Sequence, residues 1–402
     1  ARLFRSWKPQ LALHAETSGK NAIVVTAAAD LDGAVRDIVK SAFGHAGQKC
    51  SAASLAIVEA SVYDDERFLE RLADAVRSVR VGDSTDLDTT MGPLIAPASG
   101  NLLRAFTTLD DGESWLVEPN QIGDCLWTPG VKLGVQPNSW FHFAECFGPV
   151  LGLMRADDLE QAITLQNATL FGLTAGLQSL DPVEIARWTD RVEAGNLYVN
   201  RPITGAIVRR QPFGGWKRSV MGPAAKAGGP NYVLTMGRWT DSFPNCATSS
   251  TSEVDENAQF KEYATAWAEH FAVEHDPSGL AAESNVFRYV PLYRPVIVLV
   301  GEGANRDDVE RCRLAAKVAG VTMIVSRDDE ADLLERLLTI RPSKVRVLGT
   351  TSDAIYARCD ELGIPVDDTP VTSVGRLELL HWTREQAVSE TRHRYGNVRV
   401  RR

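Results

Sequence analysis

The sequence lacks several features that would assign it to a specialised class of protein. No apolar run reaches the roughly 18 residues that a membrane span needs, and the first residues show no signal-peptide pattern. A net charge of -9 argues against nucleic acid as a partner, because phosphates demand a basic protein face. We therefore expect no membrane span, no nucleic-acid partner and, by default, a cytoplasmic location.

The cysteines lack any pairing pattern. Six of them are scattered through 402 residues without a Cys-x-x-Cys pair, so the sequence indicates neither a zinc site nor a secreted disulfide framework. Free thiols in a reducing compartment fit this pattern, and no bound metal is expected. Most buried cysteines only pack, but one of these thiols could be catalytic.

Strand and helix signals alternate along most of the chain, which is the pattern of an α/β fold. Residues 22–25 predict a short buried strand, and residues 30–43 predict an amphipathic helix that ends in the glycine-punctuated turn 44–47. Residues 240–256 combine serines with acids, which is typical of a linker. From residue 295 to 362 the signals run βαβαβ, so a parallel, doubly wound sheet is expected there.

Four short clusters contain the residue types that an enzyme site needs. Each alone is a weak signal, because a glutamate near a turn or a glycine pair is usually only part of the turn. The clusters are Glu-Thr-Ser-Gly-Lys-Asn at 16–21, Gly-Gln-Lys-Cys-Ser at 47–51, Glu-Cys-Phe-Gly-Pro-Val at 145–150, and Pro-Phe-Gly-Gly-Trp-Lys at 212–217 with Lys-Ala-Gly-Gly-Pro at 226–230. In this order and spacing they resemble the aldehyde dehydrogenase superfamily, over roughly residues 1 to 236.

Within that superfamily the sequence is most similar to the dehydrogenase module of the bifunctional proline utilization A family. Ser51 directly after Cys50 and the pair Gly228-Gly229 point to this module. The resemblance implies NAD-dependent oxidation of L-glutamate γ-semialdehyde, the open form of pyrroline-5-carboxylate, to L-glutamate. It also implies a homo-oligomeric parent protein that holds FAD only in a proline dehydrogenase domain outside this chain.

The implied fold is α/β: an aldehyde dehydrogenase catalytic domain, with its dinucleotide-binding half largely missing, followed by a Rossmann-like doubly wound C-terminal domain. We expect a remnant of the dinucleotide-binding domain at 1–26 and the catalytic domain at 27–236. A linker with connecting helices is expected at 237–290, and the C-terminal domain with a tail motif at 291–402. On this interpretation the chain is a fragment without the parent's N-terminal domains, and its own activity is an open question.

The proposed chemistry rests on a cysteine and a glutamate. A thiolate at Cys50 would attack the aldehyde to give a tetrahedral alkoxide, which the Cys50 backbone N–H could stabilise. Glu16 matches the family's general base, which activates the water that hydrolyses the resulting thioester. We therefore predict that Cys50 and Glu16 are the catalytic residues.

The remaining site residues come from the resemblance. It assigns Glu145 to the nicotinamide ribose hydroxyls and Phe147 to packing near the nicotinamide, with a place in the core as the alternative for Phe147. It assigns Ser51, Gly228 and Gly229 to the α-carboxylate of the substrate, and two adjacent amides make physical sense as an anion nest.

Several alternatives stay open at this point. The substrate could be another aldehyde acid, and the chain could be a non-catalytic assembly or lid piece. Gly301 and Gly303 follow a predicted strand, but a two-glycine match without a third glycine is a weak dinucleotide signal. Arg-Tyr-Gly-Asn at 394–397 resembles the tail motif of longer proline utilization A proteins, which suggests a lid; a frayed basic terminus is the alternative.

Overall fold

The computed structural model describes residues 2–222, 225–241, 255–328, 330–394 and 397–398. Within these residues the largest element is a nine-stranded sheet whose central pairings are parallel. Its strands follow the order Glu283–Pro291, Thr383–Thr391, Asn196–Val199, Thr174–Gln178, Asn21–Val25, Ala53–Glu59, Val150–Ala156, Gly130–Leu133 and Ser114–Val117, the last two being antiparallel to each other.

The central strands form because they are apolar along almost their whole length. Every residue of Asn21–Val25 is buried, and so are most of Ala53–Glu59 and Val150–Ala156. Strands buried on both faces read as continuous apolar runs, since helices cover both faces of a parallel sheet. The predicted strand is confirmed, as are the helix Leu31–Phe43 and the turn Gly44–Gly47 that follows it.

One of two compact units contains most of this sheet. It comprises Glu16–Ser219, Asp276–Val286 and Ala387–Arg402. Its helices are Leu31–Phe43, Ala60–Tyr63, Glu66–Arg77, Gly100–Thr107, Trp140–Phe143, Leu159–Asn167 and Pro182–Arg191. We call it the catalytic unit.

The other unit, here the C-terminal unit, comprises Ala1–Ala15, Val220–His275 and Phe287–Gln386. Its described residues form a four-stranded parallel sheet in the order Met323–Ser326, Val296–Val300, Lys344–Leu348 and Val366–Asp367. The expected doubly wound sheet is therefore confirmed. Its helices are Arg2–Trp7, Glu256–Ala266, Arg306–Ala319, Glu330–Ile340, Asp353–Leu362 and Gly375–Glu378.

The glycine turn after strand Val296–Val300 is closed by the chain itself. A Cβ on Gly301 would lie 1.9 Å from the backbone oxygen of Thr350, so glycine is needed there for packing between strand ends. The first turn of the following helix, Arg306–Ala319, contains Asp307 and Asp308, whose charges disfavour a pyrophosphate at that terminus. Both observations favour a structural role for this turn.

A cluster of charged side chains lies in the core of the C-terminal unit. Arg346 and Glu378 are fully buried and lie 3.0 Å apart. Asp367 accepts from Arg346 at 3.1 Å, from Lys344 at 3.2 Å and from His381 at 2.8 Å. Burial alone would raise the pKa of Asp367, but the charges of His381, Arg346 and Lys344 outweigh it and hold that pKa well below its ordinary value.

Some expectations fall outside what the structure describes. Most of the predicted linker lies in residues 242–254, and Tyr395 and Gly396 of the tail motif also lie outside the described residues. The domain boundaries expected from the resemblance stay predictions. No helix in the described ranges combines the length and the apolar character that crossing a membrane requires.

Candidate active site

Two neighbouring parallel strands bring the predicted catalytic residues to one edge of the sheet. Strand Asn21–Val25 pairs with strand Ala53–Glu59, with Asn21 opposite Ala53. Because parallel strands begin at the same edge, the segments that precede them lie side by side. Glu16 precedes the first strand and Cys50 precedes the second. Both side chains are exposed at this edge.

The turn before Cys50 is built from unusual backbone conformations. His45, Ala46 and Gly47 have φ values of 56°, 53° and 65°. Such left-handed conformations cost energy for residues with a Cβ and are maintained only where the surroundings enforce them. A Cβ on Gly47 would lie 2.4 Å from the carbonyl oxygen of Gly148, so the turn packs directly against the segment that carries Glu145 and Phe147.

A buried asparagine holds the Cys50 loop on the sheet. The Asn21 Nδ2 donates to the carbonyl oxygens of Cys50 at 2.8 Å and Ala52 at 2.9 Å, and its Oδ1 accepts from the Thr174 N–H at 3.1 Å. Asn21 is only 2% exposed. Sequence reasoning included Asn21 in the first cluster but assigned it no role. A polar residue at the start of an otherwise apolar strand is the signal that could have identified it.

Gly19 links the Cys50 loop to Glu145. A Cβ on Gly19 would lie 2.7 Å from the Cys50 carbonyl oxygen, so the two backbones touch. The Gly19 N–H donates to Glu145 Oε1 at 2.9 Å, and Asn101 Nδ2 donates to the Glu145 carbonyl oxygen at 3.1 Å. The structure therefore brings Glu145 next to Cys50, as the sequence clusters implied.

The electrostatic surroundings of Cys50 keep its thiol protonated near neutral pH. Partial burial raises its pKa, and the negative charges of Glu16 and Glu145 act in the same direction. The backbone N–H groups of Ser51 and Cys50 oppose this by hydrogen bonding to the sulfur. Donors that already point at the sulfur are also suitably placed for an alkoxide formed on the carbon bound to it.

Phe147 does not belong to the core. Its side chain is 45% exposed and its φ is 56°. An exposed aromatic residue in a left-handed conformation at a site edge suits packing against a planar ligand ring better than internal packing. The alternative that placed Phe147 in the core is therefore wrong.

Two groups next to this site are buried. Cys146 is 6% exposed, and burial raises its pKa, in agreement with packing rather than chemistry. Lys20 is 4% exposed, and its Nζ lies 4.2 Å from the centre of the Phe141 ring. Burial lowers the pKa of Lys20 to about 8, although Cys146 and Glu145 raise it.

The residues expected to bind the substrate carboxylate are divided between the two units. Ser51 lies in the catalytic unit and is 6% exposed, with its carbonyl oxygen accepting from Thr174 Oγ1 at 3.3 Å. Gly228 and Gly229 lie in the C-terminal unit. Gly228 has a φ of 73°, and the Gly229 N–H donates to the Lys226 carbonyl oxygen at 2.9 Å. An anion at Gly229 would have to share or release that donor.

Comparisons with known proteins find similar sequences over the first part of the chain. The aldehyde dehydrogenase family matches residues 6–240. The 1-pyrroline-5-carboxylate dehydrogenase of Geobacillus sp. (strain WCH70) is 39% identical over 223 residues, which make up 55% of this chain and 42% of that protein. The same-named protein of Bacillus subtilis (strain 168) is 38% identical over 223 residues. The chain thus spans about 42% of the length of these curated relatives.

Solved structures extend the similarity to the rest of the chain. Proline utilization A from Corynebacterium freiburgense superposes with a TM-score of 0.89 at 47% identity, covering 98% of this chain and 41% of that chain. A 1-pyrroline-5-carboxylate dehydrogenase from Thermus, solved with bound NAD, superposes with a TM-score of 0.50 at 33% identity, covering 55% of this chain and 43% of that chain.

Proposed function

The chain belongs to the aldehyde dehydrogenase family, and we propose that it carries out the chemical steps by which L-glutamate γ-semialdehyde is oxidised to L-glutamate with NAD. The substrate is suggested by relatives named 1-pyrroline-5-carboxylate dehydrogenase at 39% identity. The observation that carries the proposal is that Cys50 and Glu16 lie on the segments before two adjacent parallel strands, close enough for the Glu16 charge to raise the Cys50 pKa.

In the first step the Cys50 sulfur attacks the aldehyde carbon. The attack needs a thiolate, because the ionised sulfur is the nucleophile. Since the Cys50 pKa is raised, the thiol must lose its proton to a nearby base, and the Glu16 carboxylate is the group whose charge acts on it most strongly. The N–H groups of Cys50 and Ser51 then stabilise the alkoxide.

Bound NAD would supply the hydride acceptor needed to convert the adduct at Cys50 into a thioester. The residues expected to hold this cofactor fit it. Glu145 is fixed by the Gly19 N–H and presents a carboxylate, which is an acceptor suited to ribose hydroxyls. Phe147 presents an exposed ring at the same edge.

Hydrolysis of the thioester requires a base for water. Glu16 is exposed and lies on the segment next to the Cys50 loop, so it can activate water without leaving the site. Because Glu16 is exposed, it can release the proton taken from the thiol to solvent before it accepts a second proton from the attacking water. We propose Ser51, Gly228 and Gly229 as the contacts of the substrate α-carboxylate.

The test measures NADH formation by the protein expressed from its complete native reading frame. L-Glutamate γ-semialdehyde should be oxidised with a higher kcat/KM than succinate semialdehyde or pentanal. The Cys50→Ser variant should lose this activity, because a hydroxyl is far less ionised than a thiol near neutral pH. The Cys146→Ser variant is the matched control and should keep it. A preference for succinate semialdehyde would support another aldehyde acid, and full activity of Cys50→Ser would exclude the proposed nucleophile.

A further inference from the structure

The loop that carries Gly228 and Gly229 is attached at both ends within the C-terminal unit. This anchor loop, residues 226–231, begins with Lys226 and ends with Asn231, which are each 1% exposed. Between them Gly228 adopts a φ of 73°. A loop whose ends are buried is fixed by what those ends bind, so their partners decide its conformation.

One carboxylate binds both ends of the anchor loop. Glu385 lies on strand Thr383–Thr391 and is 6% exposed. Its Oε2 accepts from the Lys226 backbone N–H at 2.7 Å, and its Oε1 accepts from Asn231 Nδ2 at 2.7 Å. Short hydrogen bonds to an ionised acceptor are about twice as strong as neutral ones and fix the position of their donors.

Further groups of the C-terminal unit form hydrogen bonds with Asn231 at the end of the anchor loop. Asn231 Nδ2 also donates to the Tyr289 hydroxyl at 2.8 Å, and Asn231 Oδ1 accepts from Arg376 Nη2 at 2.8 Å. Burial raises the Glu385 pKa, whereas the bonds from Asn231 and the Lys226 N–H and the charges of Lys226 and Arg376 oppose this. Because hydrogen bonds are directional, this buried network of Glu385 and Asn231 fixes a single conformation of the anchor loop.

We propose that Glu385 is a positioning residue for the substrate: through the Lys226 N–H and the Asn231 amide it holds the anchor loop in the conformation that binds the substrate carboxylate. This inference rests on the proposed function, in which Gly228 and Gly229 contact that carboxylate. Without these hydrogen bonds the anchor loop samples other conformations. The free-energy cost of reordering it then lowers the affinity for substrate.

The experiment compares two aldehydes in the protein expressed from its complete native reading frame. The readout is the KM for pentanal divided by the KM for L-glutamate γ-semialdehyde, because pentanal has the same number of carbon atoms but lacks the α-carboxylate and the α-amino group. In Glu385→Gln one N–H of the new amide faces a donor, so we expect this ratio to fall roughly tenfold or more. Tyr289→Phe removes one acceptor of the Asn231 amide without adding a buried charge and should lower the ratio by a smaller factor.

Two further variants separate positioning from general damage. Glu390→Gln changes a carboxylate on the same strand at an odd offset, hence on the opposite face, and should leave the ratio as in the unmodified protein. Combining Glu385→Gln with Asn231→Asp exchanges acid and amide, restores a donor–acceptor pair and should restore the ratio.

Each outcome addresses one of the two proposals. If the unmodified protein shows no preference for glutamate semialdehyde over pentanal, the proposed function fails. If that preference exists and Glu385→Gln keeps it, the positioning role is overturned while the proposed function stands. A double variant whose ratio stays as low as that of Glu385→Gln would also contradict the positioning role.

Discussion

The side-chain amide of Asn21 donates to the backbone carbonyl of Cys50 at 2.8 Å. This bond joins the first residue of one strand to the proposed nucleophile, which precedes the next strand. The segment that carries Glu16 therefore also fixes the loop that carries Cys50.

Replacing Asn21 with alanine should destabilise the protein and lower its activity. The change leaves the buried carbonyls of Cys50 and Ala52 without their donor, which costs roughly 1–3 kcal/mol. Gln166→Ala is the matched control, because Gln166 is also a buried amide that bonds a strand carbonyl, that of Ala22, at 2.8 Å. Urea unfolding should show similar losses for both, whereas kcat per folded molecule should fall only for Asn21→Ala. An equal fall in both would show that the bond has no special role.

The pH dependence of Cys50 alkylation should shift when Glu16 loses its charge. Glu16 raises the Cys50 pKa, so Glu16→Gln should lower it and move the pH midpoint of iodoacetamide alkylation to lower values. The rate can be followed for the Cys50 peptide by mass spectrometry. Glu59→Gln, at the far end of strand Ala53–Glu59, should leave the midpoint in place. A midpoint that does not move in Glu16→Gln would contradict the electrostatic effect of Glu16 on Cys50.

Phe147 should tolerate glycine for folding but not for cofactor binding. Glycine adopts a φ of 56° without penalty, and the phenyl ring is 45% exposed, so Phe147→Gly should cost little unfolding free energy. The KM for NAD should rise because the ring is lost. Phe147→Ala should raise that KM equally but be about 1 kcal/mol less stable, since alanine retains the backbone strain. An unchanged KM for NAD in both variants would remove Phe147 from the cofactor site.

The stability of the C-terminal unit should fall in acid through Asp367. The folded pKa of Asp367 is depressed, so the carboxylate stabilises the fold above its unfolded pKa of roughly 3.9, and this contribution is lost as the pH falls towards the folded pKa. In Asp367→Asn the unfolding free energy should be lower near pH 7 and should decline less steeply below about pH 4. Urea titrations at several pH values measure how the unfolding free energy of each protein depends on pH. The same pH dependence in Asp367→Asn and in the unmodified protein would mean that Asp367 does not carry this charge.

Local patterns predicted the parts of the fold that depend on local sequence. The helix Leu31–Phe43 and the alternating strands and helices from Val296 to Leu362 follow from apolar periodicity, and they are confirmed. The proximity of Cys50 and Glu145 could be predicted from the resemblance to the family. In contrast, the strands Glu283–Pro291 and Thr383–Thr391 were not identified, because their place in the large sheet depends on pairing between distant segments.

The contacts of Glu385 could not be predicted from the sequence either. Its partners Lys226 and Asn231 are 159 and 154 residues away in sequence, and nothing in the local pattern marks Glu385 as buried. A glutamate is usually exposed, so composition alone places it on the surface. Only the assembled fold shows that its carboxylate is enclosed by donors.

Trapping the acyl group separates the proposed formation of a thioester at Cys50 from its proposed hydrolysis with the help of Glu16. The Glu16→Gln variant, expressed from the complete native reading frame, is mixed with L-glutamate γ-semialdehyde and NAD, quenched rapidly in acid and analysed by intact-mass and peptide mass spectrometry. We predict a first turnover of NADH and a glutamyl group on the peptide that contains Cys50. Without the Glu16 charge the Cys50 pKa falls, so the thiol can still ionise to solvent, whereas the hydrolytic water loses its base. A first turnover with no acyl group on Cys50, or with the group on another cysteine, would contradict the account.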